Sequence, residues 1–129
     1  MKKALPLLLM LTLILTGCAA PEAGAEDYRR ITMQEAIDMM ASETNHIILD
    51  VRTPAEYAAG HIPGAVNIPN EAIGTAQIPS LPDKDQLILV YCRSGNRSKQ
   101  ASDKLVRLGY TNIVEFGGIN AWPGEIVIE

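Results

Sequence analysis

The chain has 129 residues, of which 47% are hydrophobic and 20% are charged, so it can form one globular domain but not two. Its ordinary apolar fraction, its scattered glycines and prolines and its lack of a repeating segment exclude a disordered, collagen-like or repeat protein. The formal net charge of -4 argues against a nucleic-acid-binding protein, which needs a basic face to neutralise phosphates.

The amino-terminal residues have the order of a secretory signal: two lysines, an apolar run over residues 4–16, and small residues around Cys18. The run is shorter than the roughly 20 residues that a membrane-spanning helix needs. Leu15-Thr16-Gly17-Cys18 resembles a bacterial lipobox, which predicts a lipoprotein signal peptide over residues 1–17 and lipidation of Cys18. The alternatives are a plain cleaved signal and an uncleaved anchor in which Cys18 is an incidental thiol.

Residues 18–27 are small and acidic, and they predict a flexible lipidated tether that precedes a domain over residues 28–129. We therefore expect the protein in the bacterial cell envelope, attached to a membrane by its lipid anchor and facing the periplasm or the exterior. Once Cys18 is acylated, Cys92 is the only remaining cysteine, so the fold does not depend on a disulfide.

The first half of the domain contains two helix signals with a strand between them. Thr32-Met-Gln-Glu35 is a capping box that opens a helix with an apolar stripe. The apolar run Ile47-Ile48-Leu49 predicts a strand buried on both faces. Thr53-Pro54-Ala55-Glu56 repeats the capping box, and Gly60 ends the short helix that follows.

The second half continues this alternation. Val66-Asn67-Ile68 predicts a brief strand, and residues 69–85 predict a loop with one helical turn. Leu87 to Tyr91 predicts a second buried strand with Cys92 at its end. The apolar positions 101, 105 and 108 then predict a helix that Gly109 ends, before a strand over residues 113–116 and a short turn.

Strands that alternate with helices predict an α/β domain with a mainly parallel sheet of about five strands, flanked by helices on both faces. In such a domain the ligand site lies at the carboxyl ends of the strands. Cys92 falls at such an end.

The segment around Cys92 is suited to hold an anion. The loop that follows it brings successive backbone N–H groups around the sulfur, and a helix that begins near Ser98 adds the positive end of its dipole. Arg93 and Arg97 add positive charge, so we expect the thiol pKa to lie below the ~8.5 of free cysteine. The alternative is an inert buried cysteine beside solvated arginines.

Four stretches of the sequence resemble signatures of the rhodanese-like domain family. Leu49–Tyr57 with Gly60–Pro69 looks like its first signature, Cys92–Ser98 like its active-site loop, and Gly117–Trp122 like its closing signature. Together they cover nearly all of residues 28–129. The resemblance implies a single-domain sulfurtransferase of EC class 2.8.1, in which Cys92 accepts a sulfane sulfur as a persulfide and passes it to an acceptor.

The resemblance also implies roles for individual residues. Cys92 is the catalytic nucleophile, and Arg93 directly after it favours thiosulfate over mercaptopyruvate as the donor. We expect Ser98 to cap the following helix; the alternative is that it donates to the persulfide. The active loop that binds the substrate comprises Arg93, Ser94, Gly95, Asn96, Arg97 and Ser98. The expected acceptor is a thiol or cyanide, the expected state is a monomer, and no cofactor is implied.

Other polar and aromatic residues are predicted to support the structure. Arg52 is expected to pair with Asp50 or Glu56, and His61 to hold a turn by hydrogen bonding. Trp122 is expected to plug the core under the active loop. No metal site is predicted, because His46 and His61 fall in unrelated segments and show no ligand spacing.

Two other classes of protein compete with the sulfurtransferase. A phosphatase or arsenate reductase also places a cysteine and an arginine around an oxyanion, but its loop places five residues between them. Here only four residues separate Cys92 from Arg97. The second class is a rhodanese-like domain that only binds a partner, and the retained cysteine and arginines argue against it.

Overall fold

The computed structural model describes residues 27–129. The predicted signal peptide, the predicted lipidation site Cys18 and nearly all of the predicted tether lie outside the described residues. Within the part of the chain that is described, no helix is long and apolar enough to cross a membrane.

Five strands form one parallel sheet. They are β1 (Arg29–Arg30), β2 (His46–Asp50), β3 (Val66–Asn67), β4 (Leu87–Cys92) and β5 (Ile113–Gly118), in the spatial order β1-β5-β4-β2-β3. This confirms the predicted parallel sheet of five strands. β1 was not predicted, because its two exposed arginines become a strand only by pairing with β5.

Both predicted capping boxes are present. Helix α1 (Met33–Ser42) begins after Thr32, whose hydroxyl accepts from the Glu35 N–H at 3.1 Å while the Glu35 carboxylate accepts from the Thr32 N–H at 2.7 Å. Helix α2 (Pro54–Ala59) begins after Thr53 in the same way, with proline at its first position and Gly60 after its last. Each box satisfies backbone N–H groups that a helix start leaves without a partner.

Helix α3 (Asn96–Arg107) connects β4 to β5. It begins two residues before Ser98 and therefore earlier than the apolar pattern predicts. Two one-turn 3-10 helices complete the fold, one at Asn70–Ala72 in the long loop and one at Ile119–Ala121 after β5.

The side chains of β4 alternate between the two faces of the sheet and so belong to two separate cores. Ile88, Val90 and Cys92 lie in the core under α3, which also contains Ala101 and Leu105. On the other face, the core lies under α1 and α2, and it contains Ala36 and the remaining β4 side chains Leu87, Leu89 and Tyr91. The helices therefore cover both faces, as predicted, and each fully buried large aliphatic side chain contributes about 1.5–3 kcal/mol.

Candidate active site

Cys92 ends β4, the central strand of the sheet. All six residues of β4 are buried, and Cys92 is only 1% exposed. The register in which β4 pairs with β5 shifts between Val90 and Cys92. Residues 93–95 then connect the strand to α3, so the sulfur lies in the layer between the sheet and that helix.

Hydrogen-bonding groups of the loop and of α3 converge on the Cys92 sulfur. The Gly95 N–H donates to Sγ at 3.0 Å, and the Ser98 hydroxyl lies 3.5 Å from Sγ. Burial raises the pKa of the Cys92 thiol, but the contact with the Ser98 hydroxyl and hydrogen bonds from the N–H groups of Ser98, Gly95 and Ser94 outweigh it, so the pKa lies below its usual value. These hydrogen bonds, rather than the two arginines, are the main causes of the lowered pKa.

Two glycines allow the loop to take this shape. Gly95 precedes α3 with φ +114°, in the left-handed region that favours glycine. Gly118 lies against the loop from β5, where a Cβ atom would overlap the carbonyl group of Arg93. The Asn120 N–H donates to the same Arg93 carbonyl at 3.2 Å. The end of β5 therefore supports the loop that surrounds the sulfur.

Arg97 lies in the first turn of α3 and forms an ion pair with Glu56 of α2. Its two terminal nitrogens donate to the two carboxylate oxygens at 2.6 and 3.0 Å. This pair lowers the pKa of Glu56 to about 2 and raises that of Arg97, which also lies within reach of the Cys92 charge. Glu56 therefore pairs with Arg97 and not with Arg52, the alternative that the sequence left open.

The remaining loop side chains face solvent. Arg93, Ser94 and Asn96 are exposed. Within residues 27–129, no carboxylate lies at ion-pair distance from Arg93. Its guanidinium is therefore available to an anion that approaches the loop.

Ser98 does not cap α3, so that prediction is wrong. The helix begins at Asn96, Gly95 occupies the capping position, and no side chain caps the helix. Ser98 lies inside the first turn, where its hydroxyl is oriented toward the sheet. It donates to the Glu115 carboxylate at 2.6 Å and contacts the Gly95 carbonyl and the Cys92 sulfur.

Asp50 and Arg52 form a buried cluster beside β4. The Arg52 side chain donates to both Asp50 oxygens at 2.7–3.1 Å, and the Tyr91 hydroxyl donates to Asp50 at 2.7 Å. Arg52 also donates to the Gly60 carbonyl at 2.7 Å, which joins the end of α2 to β2. Burial and the bond to Asp50 raise the pKa of Tyr91. This cluster holds strand ends and loops together.

His61 is fully buried after α2. Its Nδ1 lies 2.9 Å from the Tyr57 carbonyl, its ring stacks on Tyr57 at 3.8 Å, and its backbone pairs with Val127. These contacts join the end of α2 to the carboxyl-terminal segment. No group of three or more His, Cys, Asp or Glu side chains that could hold a metal ion occurs in residues 27–129.

Trp122 is half-buried and packs against the core under α1 and α2. Its indole N–H donates to the Glu125 carbonyl at 3.0 Å. The core that contains Cys92 lies on the opposite face of the sheet. The prediction of a plug under the active loop is therefore wrong, because the chain crosses to the other face after β5.

Sequence reasoning missed Glu115. This residue of β5 is 3% exposed, and its carboxylate accepts hydrogen bonds from the Ser98 hydroxyl and from the N–H of Gly117 in the same strand. The available signal was a single carboxylate within the apolar run Ile113–Phe116, in a strand expected to be buried.

The arrangement can stabilise a sulfur anion and a small anion above it. Neutral backbone N–H groups and the positive end of the α3 dipole favour a negative charge on Cys92. These groups stabilise the sulfur anion without transferring a proton to it. Arg93 can meet a second negative charge at the surface of the loop. A nucleophilic thiolate that attacks an anionic donor fits this geometry.

The chain is similar to known proteins over most of the domain that contains this site. The sequence profile of the rhodanese-like domain matches residues 32–125. The chain is 38% identical over 71 residues to thiosulfate sulfurtransferase PspE of Escherichia coli, covering 55% of this chain and 68% of that protein. It is 35% identical over 104 residues to thiosulfate sulfurtransferase GlpE of Pseudomonas entomophila, covering 77% of this chain and 92% of that protein.

A solved structure shares the fold. The structure described as rhodanese with anions from E. coli superposes with a TM-score of 0.59 at 33% identity, covering 65% of this chain and 99% of that one.

Proposed function

This chain belongs to the rhodanese-like domain family, and from this premise we propose that it is a thiosulfate sulfurtransferase that carries a sulfane sulfur on Cys92 as a persulfide. Two relatives that are named thiosulfate sulfurtransferases support a sulfurtransferase. The observation that carries the proposal is the convergence of the Gly95 N–H and the Ser98 hydroxyl on a buried sulfur whose pKa is lowered.

In the first half-reaction, the Cys92 thiolate attacks the outer sulfur of thiosulfate. A new S–S bond forms to Cys92, the old S–S bond breaks, and its electron pair leaves with sulfite. The total charge does not change, because a thiolate and a dianion become a persulfide anion and a dianion. Arg93 faces the solvent side of the loop, where its positive charge favours both the bound donor and the departing sulfite.

In the second half-reaction, a nucleophilic acceptor attacks the outer sulfur of the persulfide. With cyanide, thiocyanate leaves and the Cys92 thiolate is restored. A small thiol reacts in the same way and leaves as its own persulfide. The loop N–H groups that stabilise the thiolate also stabilise the persulfide, so one set of donors serves both anionic states.

The test is to incubate the reduced protein with thiosulfate and to measure its mass. We expect one added sulfur atom on Cys92, which cyanide removes as thiocyanate. Hydrolysis of an aryl phosphate with no sulfur adduct would instead indicate a phosphatase. A folded, reduced protein that shows neither reaction with several sulfane donors would indicate a binding module.

We also propose that the protein is exported and held at the bacterial cell envelope by acyl chains on Cys18, and that it acts as a monomer. The support for export is the lipobox-like segment after an apolar run. Lasting attachment to a membrane needs two anchoring signals, such as two acyl chains. Each CH₂ group of an acyl chain that is buried in the membrane contributes about 0.8 kcal/mol to binding. Mass spectrometry of the amino terminus tests the lipidation: an unmodified end at Ala19 or beyond would contradict it.

Light scattering of the detergent-solubilised protein tests whether it is a monomer.

A further inference from the structure

The positive charge of the domain is concentrated in one segment. Residues 93–107, which comprise the loop after Cys92 and helix α3, contain five lysines and arginines and one acidic residue. The other described residues contain four lysines and arginines and twelve acidic residues. The segment therefore carries a net charge of +4 in a domain whose other described residues sum to −8. A field of this polarity favours the approach of negatively charged partners to the loop.

Three of these cations keep their charge available to a partner. Arg93 and Lys99 are exposed, and Lys104 is half-buried. Within residues 27–129, no carboxylate lies at ion-pair distance from any of the three. Lys104 Nζ donates to the backbone and side-chain oxygens of Asn70 at 2.9 and 3.0 Å, and both of these acceptors are neutral. Its charge is therefore held in place without being cancelled.

The other two cations of the segment are paired. Arg97 forms an ion pair with Glu56 and also lies within reach of the charge of Glu71. Arg107 forms an ion pair with Asp103 one turn before it in α3. The surplus positive charge of the segment therefore comes from the three cations that have no acidic partner.

A cavity of about 310 Å³ lies between the second half of α3 and the chain that follows the 3-10 helix at Asn70–Ala72. Ile73 and Leu108 supply apolar surface, and Lys104 and Arg107 supply two positively charged side chains. Such a cavity fits an apolar side chain that belongs to an otherwise acidic segment, because the apolar group fills the cavity and the charges meet around it. Its lining comprises Ile73, Gly74, Thr75, Lys104, Arg107 and Leu108.

Helix α3 connects the loop around the sulfur to this cavity. A helix rises 1.5 Å per residue, so the chain from Asn96 to Lys104 spans about 12 Å. An extended segment covers this distance in about four residues, at roughly 3.3–3.6 Å each. One short segment can therefore place a side chain in the cavity and another side chain at the loop.

We propose that Arg93, Lys99, Lys104 and the cavity, which together we name the docking face, bind an acidic segment of a partner protein. The segment inserts an apolar side chain into the cavity and presents a cysteine to the loop. The partner thiol is the sulfur acceptor, an assignment that rests on the proposed function. The cavity favours a protein over a lipid surface, because a layer of headgroups offers negative charge without one apolar group at a fixed distance from a thiol.

The transfer balances without a further reagent. The partner thiolate attacks the outer sulfur of the Cys92 persulfide, and a new S–S bond forms to the partner. The bond between this sulfur and Cys92 Sγ breaks, and its electron pair stays on Cys92 as a thiolate. Two anions become two anions, and no oxidant or reductant takes part.

The test compares three capped peptides as acceptors. Each begins with cysteine and has leucine at its sixth position; the other positions are glutamate in the first peptide and lysine in the second, and the third is the glutamate peptide with serine in place of leucine. The full chain carries Cys18→Ser, so that Cys92 is the only thiol, and it is loaded with thiosulfate and freed of the excess. Each transfer rate is divided by the rate of the same peptide with a small disulfide, which corrects for the reactivity of its thiol.

We expect the glutamate peptide to accept sulfur about tenfold faster than the lysine peptide at low salt, with a preference that falls as salt is added. The peptide without leucine should accept it about threefold more slowly than the glutamate peptide. Equal corrected rates for the glutamate and lysine peptides would overturn the proposal, and so would equal rates with and without leucine.

Lys99→Glu tests the face in the protein, because Lys99 is exposed and its replacement removes no ion pair within the described residues. It should reduce the preference for the glutamate peptide about fivefold and leave transfer to cyanide nearly unchanged. Arg29→Glu is the matched control, an exposed arginine on the edge strand β1. A preference that both variants reduce equally would reflect net charge alone and would overturn the docking face.

A binding measurement separates this proposal from the proposed function. Fluorescence anisotropy of the labelled glutamate peptide, with serine in place of its cysteine, needs no persulfide and should show binding that Lys99→Glu weakens. A chain that binds this peptide but forms no persulfide contradicts the proposed function alone, and a chain that forms a persulfide but shows no such binding contradicts the docking face alone. Lys99-dependent binding to phosphatidylglycerol vesicles, with no preference among the peptides, would assign the face to a membrane and overturn the proposal.

Discussion

Two neighbouring strands of the sheet end in buried groups that carry or can carry negative charge, but their surroundings differ. At the end of β2, Asp50 receives hydrogen bonds from the Arg52 side chain and from the Tyr91 hydroxyl, so both of its oxygens are bound by a cation or a phenol. At the end of β4, the Cys92 sulfur contacts the neutral Gly95 N–H and the Ser98 hydroxyl.

The difference separates a structural charge from a reactive one. An arginine held by the chain itself neutralises Asp50 and leaves it no capacity for a ligand, so removal of Asp50 would destabilise the fold by leaving a buried charge unpaired. Neutral N–H groups stabilise a sulfur anion without cancelling its charge, so a Cys92 thiolate would keep the nucleophilicity that the proposed function requires. Four substitutions test this comparison, in order of decreasing expected effect.

Replacement of Cys92 should have the largest effect. We expect Cys92→Ser to reduce sulfur transfer from thiosulfate to cyanide to the uncatalysed background, because a serine hydroxyl is scarcely ionised at neutral pH and forms no persulfide. Thiocyanate formation is the measurement. The melting temperature should change little, and a Cys92→Ser chain that still turns over would contradict the assignment.

Replacement of Asp50 should act on stability instead. Asp50→Ala leaves Arg52 buried without a counter-charge, which costs about 3–5 kcal/mol of unfolding free energy. Chemical denaturation measures it, with the exposed Asp38→Ala as a control that should change stability by less than about 0.5 kcal/mol. Turnover per folded molecule should persist. A stable variant that has lost activity would show that Asp50 takes part in the reaction. The contrast between a structural charge at the end of β2 and a reactive one at the end of β4 would then no longer hold.

Replacement of Arg93 should weaken the use of the donor. Loss of one charged hydrogen bond costs about 1.5–3 kcal/mol, which corresponds to roughly a 10- to 150-fold fall in kcat/KM for thiosulfate. Both kcat and KM should change, because the guanidinium meets the donor and the leaving sulfite. The exposed Arg107→Ala serves as the control. Unchanged activity with thiosulfate, together with reduced activity with mercaptopyruvate, would show that the donor is assigned wrongly.

The Arg97–Glu56 pair should give the smallest effect at neutral pH. Both side chains are partly exposed, so Glu56→Gln should cost no more than about 1 kcal/mol. The folded-state pKa of Glu56, about 2, lies below its usual 4.5, so the pair stabilises the fold above pH 4.5 and this contribution is lost as the pH falls through about 2. Melting temperatures measured across this window should fall less steeply for Glu56→Gln than for the unmutated chain. Parallel curves would exclude the pair as a source of acid sensitivity.

The parts of the fold that the sequence predicted are specified by neighbouring residues. α1 and α2 begin at capping boxes that span four residues, and β2 and β4 each contain a continuous apolar run. β1 could not be predicted, because two arginines form a strand only through hydrogen bonds to β5, which lies far away in the chain.

The parts of the site that lie in Cys92 and the loop directly after it could be predicted from the sequence. The position of Cys92 at a strand end follows from the apolar run before it. The partners of the loop do not, because Glu56 lies 41 residues from Arg97, and Glu115 lies 17 residues from Ser98. Ser98 resembles a cap in the sequence because the start of α3 is polar, and the apolar pattern alone does not show that the helix begins at Asn96.

The contact between Gly118 and Arg93 has a consequence for the order in which the protein gains its reactivity. The loop around Cys92 is supported by a strand that the ribosome makes after β4 and α3 are complete. A chain that has folded only through α3 lacks this support and also lacks Glu115. We therefore expect the sulfur of a nascent chain to behave as an ordinary thiol, and to become reactive only when β5 joins the sheet.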